Sequence, residues 1–438
     1  MTLNYFGTDG IRGRAYESPL SLSEVARWGQ AWGQVAQSRG ISGLILGWDP
    51  RTSSEPMARA LLQGLGAFPT TILGMVPTPA VALLTQQSSN AWGIMLSASH
   101  NPPEDNGIKG FNGLGEKLEA EEEQAIESAF GLAALQNPPT PPLRPDQSLA
   151  EGYLHHLGGV DLPDDFSIVV DCAHGATAPF APRVLRGNIH WIGIPADGER
   201  INVGVGSTHL AALREAVIAS GAELGIAFDG DGDRCLMVDS QGTLVDGDQM
   251  LWLLAQDRLD EGGSLPGVVG TVMTNGALEA ALATRGVGFV RTPVGDKFLL
   301  RELQARGWDL AAEASGHVIQ KHEGPSGDGL ATAIALLRAL LRRPRSERWS
   351  WRFDPWPLKL VNLKAKKRRA VEECAALSAA MRDLEARHGG TGGSLRLVVR
   401  WSGTEPKLRL MAEAREPALL DSAMVALETA ARADLGMS

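Results

Sequence analysis

Short apolar runs alternate with amphipathic stretches along this chain. Ser21-Leu22-Ser23-Glu24 has the form of a capping box, and Val25, Trp28, Trp32 and Val35 then fall on one helical face, which predicts a packed helix. Leu44-Ile45-Leu46-Gly47 reads as a buried strand ending at Asp49-Pro50-Arg51, Met57 to Leu65 as helix, and Thr71-Ile72-Leu73 as strand. This alternation predicts a parallel sheet with crossover helices. The pattern restarts twice. One set joins Ser167 to Asp171, a helix over Ala211 to Ser220 and the strand Leu224 to Phe228; the other joins Val268 to Val272, Leu278 to Thr284, Ala311 to Glu313 and a helix over Leu330 to Leu341. The tail reads as helix (about Ala370 to Arg387), strand (Leu395 to Trp401), polar loop, strand (Leu408 to Ala412) and helix, a small α+β unit.

A Pro-rich stretch, Gln136 to Pro142, and the Pro- and Trp-bearing stretch Arg342 to Pro357 both read as linkers. Together with the restarts of the strand and helix pattern they predict four units, at residues 1–150, 151–250, 251–355 and 356–438, the first three similar in build.

At 438 residues the chain is too long for one core. Lys+Arg 41 against Asp+Glu 51 gives a net charge of −10, which argues against a general nucleic-acid binder or an anionic-membrane binder. The basic cluster Lys364 to Arg369 reads as a solvated face or linker. Cys172, Cys235 and Cys374 are widely spaced, suggesting neither zinc site nor disulfide framework. No eighteen apolar residues run together and Met1 to Gly7 lacks the form of an export signal, so a cytoplasmic protein is expected.

Candidate chemistry sits on polar loops that follow apolar strands. Ile94-Met95-Leu96 stops at Ser97-Ala98-Ser99-His100-Asn101, and Pro102-Pro103 then stiffen the loop, leaving Ser99 at a strand end. Asp229-Gly230-Asp231-Gly232-Asp233-Arg234 offers three carboxylates at alternate positions, relieved by glycine, which can converge on one hard cation; Mg²⁺ suits them because it leaves positions for phosphate oxygens. An EF-hand is excluded, since Arg234 and Ser240 stand where that loop needs Gly and Glu. A metal on carboxylates beside Arg234 points to phosphoryl transfer, with Ser99 the candidate carrier and Lys109 an acid/base group or phosphate partner. Glu313 and Ser315, two apart in Glu313-Ala314-Ser315-Gly316-His317, would point the same way if extended and could grip neighbouring sugar hydroxyls; His317 joins them as a candidate. Arg400, Ser402, Gly403, Thr404 and, beyond them, Arg409 could form a phosphate nest.

Together these segments resemble the α-D-phosphohexomutase superfamily, from Phe6-Gly7-Thr8-Asp9-Gly10-Ile11-Arg12-Gly13 to the Ser402 to Pro406 loop. The resemblance implies three α/β domains with mixed sheets plus a C-terminal α+β domain around a central cleft. It implies a phosphorylated serine at Ser99, with His100 in the same motif, and one Mg²⁺ held by Asp229, Asp231, Asp233 and the phosphoserine. Proton transfer and charge stabilisation fall to Lys109, Arg234, His317 and Arg12. Sugar recognition falls to Glu313 and Ser315, and phosphate binding to Arg400, Ser402, Gly403, Thr404 and Arg409. Gly7 to Gly13, Asn106-Gly107-Ile108-Lys109, Gly206-Ser207-Thr208-His209 and Thr271 to Asn275 look like the phosphoglucosamine mutase branch. That branch acts on a small sugar phosphate through a glucosamine 1,6-bisphosphate intermediate, supplying amino-sugar nucleotide and cell-wall precursor synthesis; it is compatible with a homodimer and involves no nucleic acid or membrane. Ala314, Ala311-Ala312 and Trp401 depart from the family's usual residues, which bears on sugar preference. Other readings remain: a phosphomannomutase/phosphoglucomutase, a phosphatase with an aspartyl nucleophile at Asp229, and a non-catalytic sugar-phosphate sensor.

Overall fold

A computed structural model describes residues 3–133, 142–146, 148–365, 368–389, 394–401 and 407–436. The expected linker at 136–142 therefore lies almost wholly outside the described residues, as do Lys366 and Lys367 of the basic cluster and the whole 402–406 loop.

Among the described residues four larger sheets follow one another along the chain, with a two-stranded pair, Val160–Asp161 and Leu185–Arg186, besides. The first has six strands in the order Phe6–Gly7, Gly10–Arg14, Asp105–Phe111, Ala91–Leu96, Gly43–Trp48, Thr70–Met75. The second is built on Ile168–Asp171, Leu224–Phe228 and Cys235–Asp239, the third on Gly267–Thr271, Leu310–Ala312 and Val318–Gln320, and the fourth on Leu358–Lys364, Lys407–Ala414 and Leu395–Trp401. The crossover strands run parallel, as their spacing predicts. The strand after each polar loop is antiparallel instead: Asp105–Phe111 on Ala91–Leu96, Cys235–Asp239 on Leu224–Phe228, and Val318–Gln320 on Leu310–Ala312. The reason is reach, since a parallel return needs about a dozen residues or more and these loops are shorter. In the fourth sheet Leu395–Trp401 and Lys407–Ala414 make the same hairpin around residues 402–406. Each candidate loop thus closes a hairpin of its own sheet.

Helix Leu22–Ser38 starts at the Ser21/Glu24 capping box and buries Val25, Trp28, Trp32 and Val35. Trp28 stacks on Phe130 with ring centroids 3.6 Å apart, sealing one face of the first sheet. The opposite face belongs to a continuous apolar core, which takes in Ile45, Val81 and Met95, then Phe228 and Met237, then Leu253, Leu330 and Leu337. The first three domains therefore share one interior. The fourth packs its sheet on helices Ala375–His388 and Pro417–Leu435 around a separate core.

Arg342 to Pro357 is not a free linker. Trp351 is buried, and its carbonyl accepts from Trp252 Nε1 at 2.7 Å and Gln256 Nε2 at 3.0 Å, so the segment straps the third domain's helix Gly247–Asp260. The strand Leu358–Lys364 that follows it is legible only in retrospect. Lys359 and Asn362 interrupt its apolar positions, and its edge is exposed. Among the described residues no helix is long and apolar enough to cross a membrane.

Candidate active site

Ser99 sits where the first two domains meet. Its φ of 52° lies in the left-handed region, which a side chain adopts only when its surroundings hold it there. The Ser99 N–H donates to Ser97 Oγ at 2.8 Å, and its carbonyl accepts from Arg51 Nη2 and Asn202 Nδ2, each at 2.9 Å. Arg51 also donates to Asn101 O, Pro102 O and Asp105 O, and is oriented by Asp49 at 3.0 Å. Neither Arg51 nor Asn202 was expected in the site. Their signal is a charged or amide residue buried beside a strand end, which becomes visible only in the fold.

The Ser99 Oγ donates to Asp229 Oδ2 at 2.7 Å, across 130 residues of chain. Gly230 permits this closeness, since a Cβ there would lie 2.7 Å from Ser99 O. Asp229, Asp231 and Asp233 each offer an oxygen within 4.8 Å of the others. Asp231 Oδ1 and Asp233 Oδ1 are buried without a hydrogen-bond partner. Burial, then the neighbouring Asp233 and Asp231 charges, push the Asp229 carboxyl well above its usual range. Crowded carboxylates with idle, buried oxygens fit a divalent cation, whose charge would relieve the repulsion.

Lys109 lies 2.8 Å from Asp231 Oδ2, 3.1 Å from Asp9 Oδ2 and 3.6 Å from Asp233 Oδ2. Burial alone would depress its pKa, but these carboxylates outweigh it and hold the ammonium charged. The same balance holds Asp233 well below the carboxylate range, with Lys109, His317 and Arg234 overcoming burial. Arg234 Nε is 3.7 Å from Asp233 Oδ1. His100 Nδ1 is 3.3 Å from Ser99 Oγ, and burial, followed by Arg234 and Arg12, pushes that imidazole down to about 4.

An open cavity of about 640 Å³ separates the first and third domains and gathers Arg12, His100, Asp233, Arg234, Glu313 and His317. Ser99, Lys109, Asp229 and Asp231 are buried behind this wall. Arg12 is bound to Asp9 and reaches Asn101 Oδ1 at 3.4 Å. Glu313 Oε1 accepts from Gly295 N at 2.8 Å, and its Oε2 lies 3.4 Å from Ser315 Oγ. The pair meets, but in a turn and not the extended segment expected: Gly316 takes φ 92°, and its N–H returns to the Glu313 carbonyl at 2.9 Å.

Ser402, Gly403 and Thr404 lie outside the described residues. Arg400 and Arg409, which flank them, face each other across the fourth-domain hairpin and do not line the cavity. Neither makes an ion pair among the described residues, and Arg409 Nε is buried without a partner. Burial, then the Arg409 charge, lowers the Arg400 pKa. Trp401 turns the other way, packing on the domain core and donating to Arg369 O at 2.7 Å.

Four family descriptions match the chain in order. They are the phosphoglucomutase/phosphomannomutase alpha/beta/alpha domain I at residues 3–135, domain II at 151–242, domain III at 246–350 and the C-terminal domain at 360–430. The chain belongs to the phosphoglucomutase/phosphomannomutase family, the class its fold and loops define. Among its relatives, the phosphoglucosamine mutase of Alcanivorax borkumensis is 40% identical over 95% of this chain and 96% of its own, and that of Bordetella petrii 41% over 95% and 97%. A family protein of solved structure from Burkholderia thailandensis superposes with a TM-score of 0.81 at 24% identity, covering 98% of this chain and 97% of that one. An Aspergillus fumigatus N-acetylphosphoglucosamine mutase, solved with GlcNAc-6P and magnesium, gives 0.63 at 18%, covering 99% and 96%. At such identities these two structures speak to the fold.

Proposed function

We propose that the protein interconverts glucosamine 6-phosphate and glucosamine 1-phosphate through a phosphoserine at Ser99 and a 1,6-bisphosphate intermediate. The observation that carries this reading is the 2.7 Å contact between Ser99 Oγ and Asp229, which joins the serine to the carboxylate triad. The 40% identity to phosphoglucosamine mutases over nearly the whole chain supports this substrate over the hexose phosphates of the sister enzymes.

One Mg²⁺ held by Asp229, Asp231, Asp233 and the serine phosphate would supply positive charge to the oxygens of the transferring group. A hydroxyl of the sugar attacks phosphorus as the P–Oγ bond of phosphoserine breaks. The proton lost by that hydroxyl is balanced by the one Oγ gains, and neutral His100, 3.3 Å from Oγ, is placed to relay it. Lys109 stays protonated and adds fixed charge beside the leaving oxygen's carboxylate cage. Arg12, Arg234 and His317 line the cavity as positive or donor groups, while Glu313 and Ser315 bind sugar hydroxyls. Arg400 and Arg409, with Ser402, Gly403 and Thr404, hold the phosphate that is not reacting. The bisphosphate then turns end for end, returns its other phosphate to Ser99 and leaves as product. Of the divisions read from the sequence at 150, 250 and 355, the middle one falls inside helix Gly247–Asp260, so we draw that boundary before Gly247 instead.

The test compares kcat/KM for glucosamine, glucose and mannose 6-phosphates, each with a trace of its bisphosphate, in wild type and Ser99→Ala. A strong preference for glucosamine 6-phosphate, lost with Ser99, is expected. Comparable values for all three sugars would make this a generalist hexose mutase, and phosphate on Asp229 with free phosphate as product would make it a phosphatase.

A further inference from the structure

Six side chains from three domains close a ring of alternating charge at the back of the cavity. Lys109 is 3.1 Å from Asp9, and Asp9 is bound on its other oxygen by Lys117. Lys117 Nζ is 2.5 Å from Asp296 Oδ2, which lies 3.8 Å from His317 Nε2. His317 Nδ1 is 3.8 Å from Asp233 Oδ2, and Asp233 returns to Lys109 at 3.6 Å. Asp9, Lys109 and Lys117 belong to the first domain, Asp233 to the second, and Asp296 and His317 to the third. Lys109 and His317 have roles in the reaction proposed above, and Asp233 in holding its metal; Lys117 and Asp296 have none.

Their placement is built, not incidental. A backbone bridge between Phe111 and Lys117 fixes the lysine beside the strand that carries Lys109. Asp296 opens helix Asp296–Arg306, and the same helix sends Arg301 to Glu119 and Gln304 to Glu116, on either side of Lys117. Those outer pairs are exposed and add little by themselves. The inner pair is mostly buried, where a lone charge is costly and a partner decides where each group rests.

We propose that Lys117 and Asp296 are positioning residues, which clamp the first domain to the third and so hold Lys109 and His317 together against Asp233 Oδ2 at the phosphoryl-transfer centre. Without Lys117, Asp9 is free to turn wholly to Arg12, and Lys109 keeps the second domain's Asp231 and Asp233 but loses its anchor within its own domain. Without the Asp296 charge, His317 loses the group that faces its Nε2. This inference rests on the mutase reading.

The test uses the full chain as Lys117→Gln, Lys117→Arg, Asp296→Asn and the double variant Lys117→Gln/Asp296→Asn, assayed with glucosamine 6-phosphate and a trace of bisphosphate. Misplaced reacting groups lower kcat by about 10- to 100-fold. We expect that loss for Lys117→Gln and Asp296→Asn with KM within about threefold of wild type, partial recovery in Lys117→Arg, and a double variant no worse than the poorer single one. A kcat within twofold of wild type, a rise in KM alone, or losses that multiply would overturn the clamp. If Lys117→Gln does not fold, the near-isosteric Asp296→Asn is judged by the same criteria. An unmutated protein without mutase activity would overturn the parent reading and the clamp together, and that failure shows in the wild type alone.

Discussion

Arg51 holds the carbonyl of Ser99 at 2.9 Å from a position 48 residues earlier, and Asn202 of the next domain holds the same oxygen. The serine's unusual backbone is thus set from two domains at once. Replacing Arg51 by Lys keeps the charge against Asp49 but removes the guanidinium fork that spans four carbonyls. We expect Arg51→Lys to fold with kcat about 10-fold lower or worse and KM little changed, read by steady-state kinetics beside thermal unfolding. Retention of kcat within twofold would show that the loop holds itself.

The triad should behave as a cation site. Asp231→Asn is expected to abolish Mg²⁺ binding measured by calorimetry and to lower kcat by about 10²- to 10³-fold, the range seen when one electrostatic stabiliser is removed. Chelation of the wild type should silence it, and added Mg²⁺ should restore it. Full activity after exhaustive chelation would remove the metal from the scheme.

The fourth domain is moored through Glu413, fully buried, which accepts from Gly276 N at 2.6 Å and pairs with Arg396 at 2.7 Å. Arg396 in turn donates to Val272 O and Thr274 O, so the Thr271 to Asn275 motif serves as the seat. Glu413→Ala leaves the partly buried Arg396 guanidinium without its carboxylate and Gly276 N–H without its acceptor, a loss of about 1–3 kcal/mol at this junction. Limited proteolysis should then release the fourth domain while the shared core of the other three survives. Unchanged cleavage kinetics would place the mooring elsewhere.

Asp328 provides a pH signature behind the 229–234 loop, where the N–H of the next residue donates to Gly232 O at 2.9 Å. Burial raises its pKa to about 6, against the opposing pull of the Ala331 N–H and the Tyr153 hydroxyl. The folded state therefore holds this proton more tightly than the unfolded chain, whose value is near 3.8. Stability from this group is fullest below pH 4, declines as pH rises to about 6, and stays reduced above it. Across pH 4 to 7, the melting temperature of Asp328→Asn should rise relative to wild type. Parallel curves would refute the raised pKa.

Ser99 and the triad were legible because each lies in one contiguous loop whose residue types announce their chemistry. Helix faces were legible too, since Trp28 and Trp32 carry the spacing in the sequence itself. Arg51, Asn202, Lys117 and Asp296 were not, because each acquires its role from contacts with distant segments. The mixed sheets that the resemblance implies are present; the alternation of strand and helix alone does not reveal the antiparallel strand after each loop, whose direction is decided by connection length. The turn at Glu313 was missed because it depends on the φ of Gly316.

The candidate loops at 97–104, 229–234 and 313–317 each cap a hairpin, and each hairpin belongs to a separate sheet. In the proposed scheme, carrier, cation cage and sugar reader therefore sit on three separate sheets that meet over one shared core. A substitution confined to residues 313–317 can therefore alter the proposed sugar contacts without touching the strands that bring Ser99 Oγ within 2.7 Å of Asp229.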